Sequence, residues 1–168
     1  MSQAEQRKVE PSQLEIDINT TYYAHDIKSR IFRHLGLLFA FGQLLLGSAI
    51  MTKIFNPTFL GFCIAFIGAL QATIKPASEE AASRVFKLEM NELADEIHGS
   101  GENSEVFWAV YSAFNTASKK EPDISNTVLM IAQQCAHIKL GIKQRVHLNI
   151  WQKALAVFAG VTQIFTHN

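Results

Sequence analysis

Leu35-Gly-Leu-Leu-Phe-Ala-Phe-Gly-Gln-Leu-Leu-Leu-Gly-Ser-Ala-Ile-Met-Thr52 is a run of 18 residues without a charged side chain. After the lone Lys53, Ile54-Phe-Asn-Pro-Thr-Phe-Leu-Gly-Phe-Cys-Ile-Ala-Phe-Ile-Gly-Ala-Leu-Gln-Ala-Thr-Ile74 adds 21 more. A helix needs about 20 mostly apolar residues to cross the hydrocarbon of a bilayer, and about 17 suffice. Asn56-Pro57 is a turn signal between the two runs. The sequence therefore predicts transmembrane helices over about 35–52 and 58–74, joined by a short loop at roughly Thr52 to Pro57. The fold class expected is all-α, a two-helix transmembrane hairpin followed by a cytoplasmic α-helical region. The competing reading is a buried hairpin in a soluble helical bundle.

The flanks set an orientation. Lys28, Arg30 and Arg33 precede the first run, and Lys75, Arg84 and Lys87 follow the second, while Lys53 stands alone between them. Basic flanks stay on the cytoplasmic side, so both hairpin ends are expected there. Asn19-Thr20-Thr21 matches a glycosylation sequon but reads as a chance triplet, because that segment would not leave the cytoplasm. The whole chain of 168 residues is long enough for one domain. It has 15 basic and 15 acidic residues and 18% charged residues, against about 25% in an average soluble domain. Nucleic-acid binding draws most of its affinity from neutralising phosphates, and no basic excess exists here to supply it. Cys63 and Cys135 lie far apart without metal-ligand spacing, and the polar start of the chain carries no cleavable signal pattern.

Helical spacing gives the two apolar runs a face of small residues. Gly36, Ala40, Gln43 and Gly47 align on the first, and Gly61, Ala65, Gly68 and Ala72 on the second. Small side chains let membrane helices approach closely, where van der Waals contact replaces a hydrophobic drive that lipid cannot provide. These eight are the candidate pore-lining or helix-packing residues. Leu38, Phe39, Leu45, Leu46, Phe62 and Phe66 suit acyl chains. Gln43 stands out, since an amide in hydrocarbon needs a hydrogen-bond partner; both an interhelical bond and a pore wall would supply one.

Beyond the hairpin, Phe86, Met90, Leu93 and Ile97 form the apolar stripe of a helix over about 79–98, started by Ser78-Glu79-Glu80 and ended by Gly99-Ser100-Gly101. A second helix is expected over about 104–117, with Val106, Phe107, Val110, Tyr111 and Phe114 on its apolar side. A third, over about 125–141, follows an Asp123 or Ser125 cap and carries Val128, Leu129, Ala132, Cys135, Ala136 and Leu140 or Ile138. Gln13 to His34 is also expected to be helical and to run on into the first apolar stretch. The third apolar run, Leu148 to Phe165, contains Lys153. Lying on the membrane surface and packing on the cytoplasmic helices rank close together for it, and spanning comes last, because a lysine at the centre of a span costs about 2.5–3.5 kcal/mol.

No GxSxG, HExxH, GxxxxGK[ST] or GxGxxG motif occurs. The six histidines form no i, i+4 pair, and His34 reads as an interfacial residue beside Arg33. The expectation is a protein that is not an enzyme and uses no cofactor or metal.

Lys28-x-Arg30-x-x-Arg33-His34, the hairpin and Gly68-Ala-Leu-Gln-Ala-Thr-Ile-Lys-Pro76-Ala-Ser-Glu-Glu-Ala-Ala together resemble SLATT domains. The resemblance runs through Leu70-Gln71, Pro76 and Ala81 or Ala82, then Glu121-Pro122-Asp123-Ile124-Ser125 and the helix to Gly141, covering roughly Tyr22 to Gly141. It divides the chain into a polar segment 1–21, a SLATT-like domain 22–147 and a C-terminal apolar helix 148–168. It implies an inner-membrane effector of prokaryotic conflict systems that forms homo-oligomers and permeabilises the membrane when phage is detected. Unlike such proteins with fused sensor or nucleotidyltransferase domains, this chain has none, so its trigger is expected from a separate sensor or nucleotide-signal partner. Membrane lipid is the other expected partner. The alternative is a non-enzymatic membrane-anchored adaptor whose cytoplasmic helices recruit a partner.

Overall fold

The computed structural model describes residues 13–51, 56–100, 104–144 and 146–164. Six α-helices account for most of them: α1 (Gln13–Met51), α2 (Pro57–Ile74), α3 (Pro76–Ser100), α4 (Ser104–Ser118), α5 (Asn126–Lys139) and α6 (Ile150–Phe158), with a final 3-10 turn at Thr162–Ile164. No strand occurs among the described residues, and the chain is all-α with a two-helix apolar hairpin.

The hairpin and a polar bundle share their long helices. α1 is 39 residues long, roughly 58 Å at 1.5 Å per residue. No proline interrupts it, so the ladder of i to i−4 bonds continues through the change from polar to apolar sequence. α2 begins at Pro57, whose missing N–H falls where a helix has no intrahelical acceptor for it. The Asn56 side chain accepts from Thr58 N at 2.9 Å. α2 ends at Lys75, which adopts a left-handed conformation (φ 48°) and returns its N–H to the Gln71 carbonyl at 2.9 Å. Pro76 then starts α3 at once. This differs from the expected start at Ser78: the Ser78 and Glu79 N–H groups donate to the Lys75 carbonyl, so the cap is a backbone group three residues earlier than the serine.

α2 and α3 together run antiparallel to α1. Pro76 lies opposite Gly36 and Ile67 opposite Gly42, while Lys87 pairs with Asp26 and His98 with Glu15. Two apolar clusters flank the N-terminal half of α1. Leu14 and Ile18 pack with Met90, Leu93 and Ala94 of α3 and with Val110 and Ala117 of α4. On the other side, Ala24 and Ile27 pack with Val128, Ile131, Ala132 and Cys135 of α5 and with Ala156, Ala159, Val161 and Ile164. Each fully buried Ile or Met in this wall contributes about 1.5–3 kcal/mol.

The expected stripe Phe86, Met90, Leu93 and Ile97 faces this core. The α4 and α5 stripes are shifted: Tyr111 and Leu129 are exposed, and Ile131, outside the expected α5 face, is completely buried. Ser125 caps α5, and Gly141 (φ 69°) lies beyond its end. The boundary expected at Tyr22 falls inside α1, and the N-terminal segment is described only from Gln13. The loop around 52–55 lies outside the described residues.

The C-terminal run is not one long helix. An Asn149–Gln152 capping box starts α6, and Gly160, with φ 69°, turns the chain out of it. Nine residues reach roughly 14 Å, too short to span. Gln152, Ala156 and Ala159 are buried against the bundle, while Ile150 and Trp151 remain 78% and 79% exposed, with Val157 and Phe158 beside them.

Candidate functional site

Two helices are long and apolar enough to cross a membrane, and their apolar windows are almost uncovered by protein: none of the α1 window is buried, and 6% of the other. Leu44 is 70% exposed and Phe62 69%. The core hairpin of a soluble bundle would be covered by its neighbours, and soluble monomers rarely leave so large a contiguous apolar surface open.

Within the hairpin, contact is made where one backbone comes close to the other chain segment. A Cβ on Gly42 would sit 3.5 Å from Ile67 Cδ1, one on Gly36 3.9 Å from Pro76 Cβ, and one on Gly68 3.8 Å from Gln43 Nε2. Gln43 and Gly68 thus belong to the seam between α1 and α2, and Gly36 faces Pro76 at the start of α3. Gly47 is half-buried and Gly61 exposed, and each has open space where a Cβ would project. Ala40, Ala65 and Ala72 are exposed. Gly42, which was not among the expected residues, makes the tightest approach.

Exposure along each helix, taken at 100° per residue, shows why the expected faces only border the contact. Phe39, Gly42, Gln43, Leu46 and Ile50 of α1 and Leu60, Ile64, Ile67, Gln71 and Ile74 of α2 are among the less exposed hairpin positions and share a face with the Gly42–Ile67 approach. The small-residue rows lie about a quarter turn or more from these centres. Because the helices are antiparallel, both rows come out on the same flank of the hairpin, with Gln43 and Gly68 at the junction between them. Among the described residues, no hydrogen-bond partner for the Gln43 amide is present.

Below the apolar half, polar bonds tie α1 to α3, to the segment before α5 and to α6. The Lys28 ammonium donates to Glu79 at 3.0 Å and to the Asp123 carbonyl at 3.1 Å. Asp26 accepts from Arg30 at 2.9 Å and from Lys87 at 2.7 Å. His25 is completely buried; its Nε2 meets Glu121 Oε1 at 3.2 Å and its ring lies 4.8 Å from that of Phe86. His34, expected at an interface, donates from Nδ1 to the Phe158 carbonyl at 2.8 Å, so α6 lies against the start of the apolar half.

Periodicity singled out neither His25 nor Asp26; their partners are 96 and 61 residues away, beyond what local spacing can show. Burial, with Asp26 adding to it against Arg30, pushes the Cys135 thiol up to about 12. Burial also raises Tyr23, helped by Cys135, Tyr22 and Asp26. Both therefore stay protonated and chemically inert near neutrality. Among the described residues, no group of three His, Cys, Asp or Glu side chains could hold a metal ion. On α4, Trp108 (64% exposed) meets Phe107 and Tyr111 edge to face.

No family model, curated protein or solved structure matches the chain.

Proposed function

We propose that the chain is a membrane effector that oligomerises through its hairpin and permeabilises the inner membrane when a cytoplasmic partner signals. In this reading α1 and α2 span the bilayer, with the polar bundle in the cytoplasm on the side of the basic flanks. The observation that carries it is the Gln43 amide, set at the seam of the small-residue flank beside Gly68 and without a hydrogen-bond partner among the described residues. In hydrocarbon an unsatisfied polar group is costly, and a second copy packed on that flank supplies either the missing hydrogen bond or a water path. The unbroken α1 connects this flank to the bundle core, so a partner acting on the bundle acts on the hairpin too. The resemblance to SLATT domains points the same way.

The test is membrane potential, followed with a dye in bacteria expressing the chain with its activating partner. Wild type should depolarise cells rapidly, and Gln43→Leu at equal membrane abundance should reduce the rate about tenfold or more. Undiminished depolarisation by Gln43→Leu would sink the role given to this flank.

The exposed aromatic surface of α4 favours a second reading, an adaptor in which the hairpin is only an anchor and Trp108 and Tyr111 recruit a partner. Replacing the hairpin by an unrelated apolar hairpin separates the two, because an adaptor keeps its function and an effector loses it.

A further inference from the structure

At the base of the hairpin, α1, α3 and the turn after α6 enclose an open cavity of about 600 Å³, within the range of small-molecule pockets. Its wall holds four permanent cations, Arg30, Arg33, Arg84 and Lys87, and two carboxylates, Asp26 and Glu80. Asp26 is engaged by Arg30 and Lys87, and Glu80 by Arg84 at 2.7 Å. Arg33 is exposed and has no ion-pair partner among the described residues. The cavity thus has two positive charges in excess. Gly160 leaves bare backbone on its rim: a Cβ there would lie 3.8 Å from an Arg30 guanidinium nitrogen.

Arg33 and His34 are followed directly by the uncharged run that starts at Leu35, and Gly36 is level with Pro76. With the hairpin spanning the bilayer, the cavity opens at the depth of the cytoplasmic lipid phosphates. Guanidinium groups match phosphate oxygens with paired N–H donors, and basic pockets at this depth are suited to anionic headgroups.

We infer that this cavity binds a phosphate-bearing anion, with the headgroup of an anionic phospholipid as the source its position favours. A bound phosphodiester offsets half of the charge excess and clamps α1 to α3 at the point where the hairpin leaves the bundle. The inference rests on the hairpin spanning a membrane and not on permeabilisation, so it stands or falls separately from effector activity.

The test uses the purified full-length chain in neutral detergent and reads the ligand-dependent rise in Tm. Dioctanoyl phosphatidylglycerol should raise Tm saturably, and dioctanoyl phosphatidylcholine should not. Each basic residue at a membrane surface contributes to anion affinity on a scale of about fivefold. Arg33→Gln should therefore weaken apparent binding about fivefold, and adding Arg84→Gln about 25-fold. Lys143→Gln, a charge loss on the exposed Lys143 outside the cavity, should change nothing. Saturable stabilisation by inorganic phosphate, lost in the same variants, upholds the phosphate site and assigns it a soluble source as well. Equal stabilisation by both lipids, binding undiminished in the double variant, or an equal loss in Lys143→Gln overturns it.

Discussion

Asp26 carries a charge in the polar half of α1, yet it is buried and joins two cations. Replacing it with Asn keeps the shape and removes the charge that Arg30 and Lys87 share. Hydrogen bonds to charged groups contribute about 1.5–3 kcal/mol each, so Asp26→Asn should destabilise the bundle by about 2–3 kcal/mol, read as a lower Tm of the detergent-solubilised protein. Cys135 gives a prediction of another kind. Its thiol is raised from 9.0 to about 12 in the fold, so the stabilisation from keeping it protonated is complete below pH 9 and disappears as pH rises towards 12. Stability should fall across that window, and Cys135→Ala should flatten the fall without changing the pH dependence below it. Maleimide labelling of Cys135 at pH 7 should then track unfolding. These residues show where sequence reading stops. Met90 and Leu93 were legible because a 3.6-residue period reports burial on one helix. Asp26 and His25 were not, because nothing local to α1 encodes Lys87 or Glu121.

Elements were more legible than their ends. Both apolar helices, the continuation of Gln13–His34 into the first of them and the Ser125 cap follow from charge spacing and helix-capping chemistry. The α2–α3 junction does not, because Lys75 in the left-handed region takes the place of a glycine. A non-glycine residue there costs on the order of 1–3 kcal/mol, so Lys75→Gly should not lower the Tm of the solubilised protein and should raise it if the strain exceeds the extra chain entropy of glycine. A measurable drop in Tm would show that the lysine side chain supports the junction. The sequence leaves the place of α6 open, and the structure gives it both a bundle-facing side and an exposed apolar side. Beside the start of the apolar half, that exposed side should rest in the headgroup region. In a Trp108→Phe background, Trp151 emission should be quenched by brominated lipids in reconstituted vesicles, and quenching only by aqueous iodide would remove α6 from the surface.

At the scale of the whole molecule, the candidate site was half legible. The small residues of the hairpin could be named from spacing, but not which of them meet inside the protomer. That depends on how α2 is rotated against α1, which the Gly42–Ile67 contact shows and a single-helix pattern cannot. The basic residues that served to orient the chain also form a cavity, because the two flanks of a hairpin are neighbours in space although far apart in sequence. A carbonate wash should leave the full chain in the membrane pellet.

The length of α1 also imposes an order on biogenesis. With the hairpin spanning a bilayer, as proposed above, its apolar half partitions soon after it leaves the ribosome, before α3 exists to cover its polar half. Asp26 waits for Lys87, 61 residues later, and His25 for Glu121, 96 residues later. At about 5–20 residues per second, that is a delay of several seconds. During it, Leu14, Ile18, Ala24 and Ile27 hang exposed from an inserted helix, and early chains should be especially sensitive to the supply of chaperones at the translocation site.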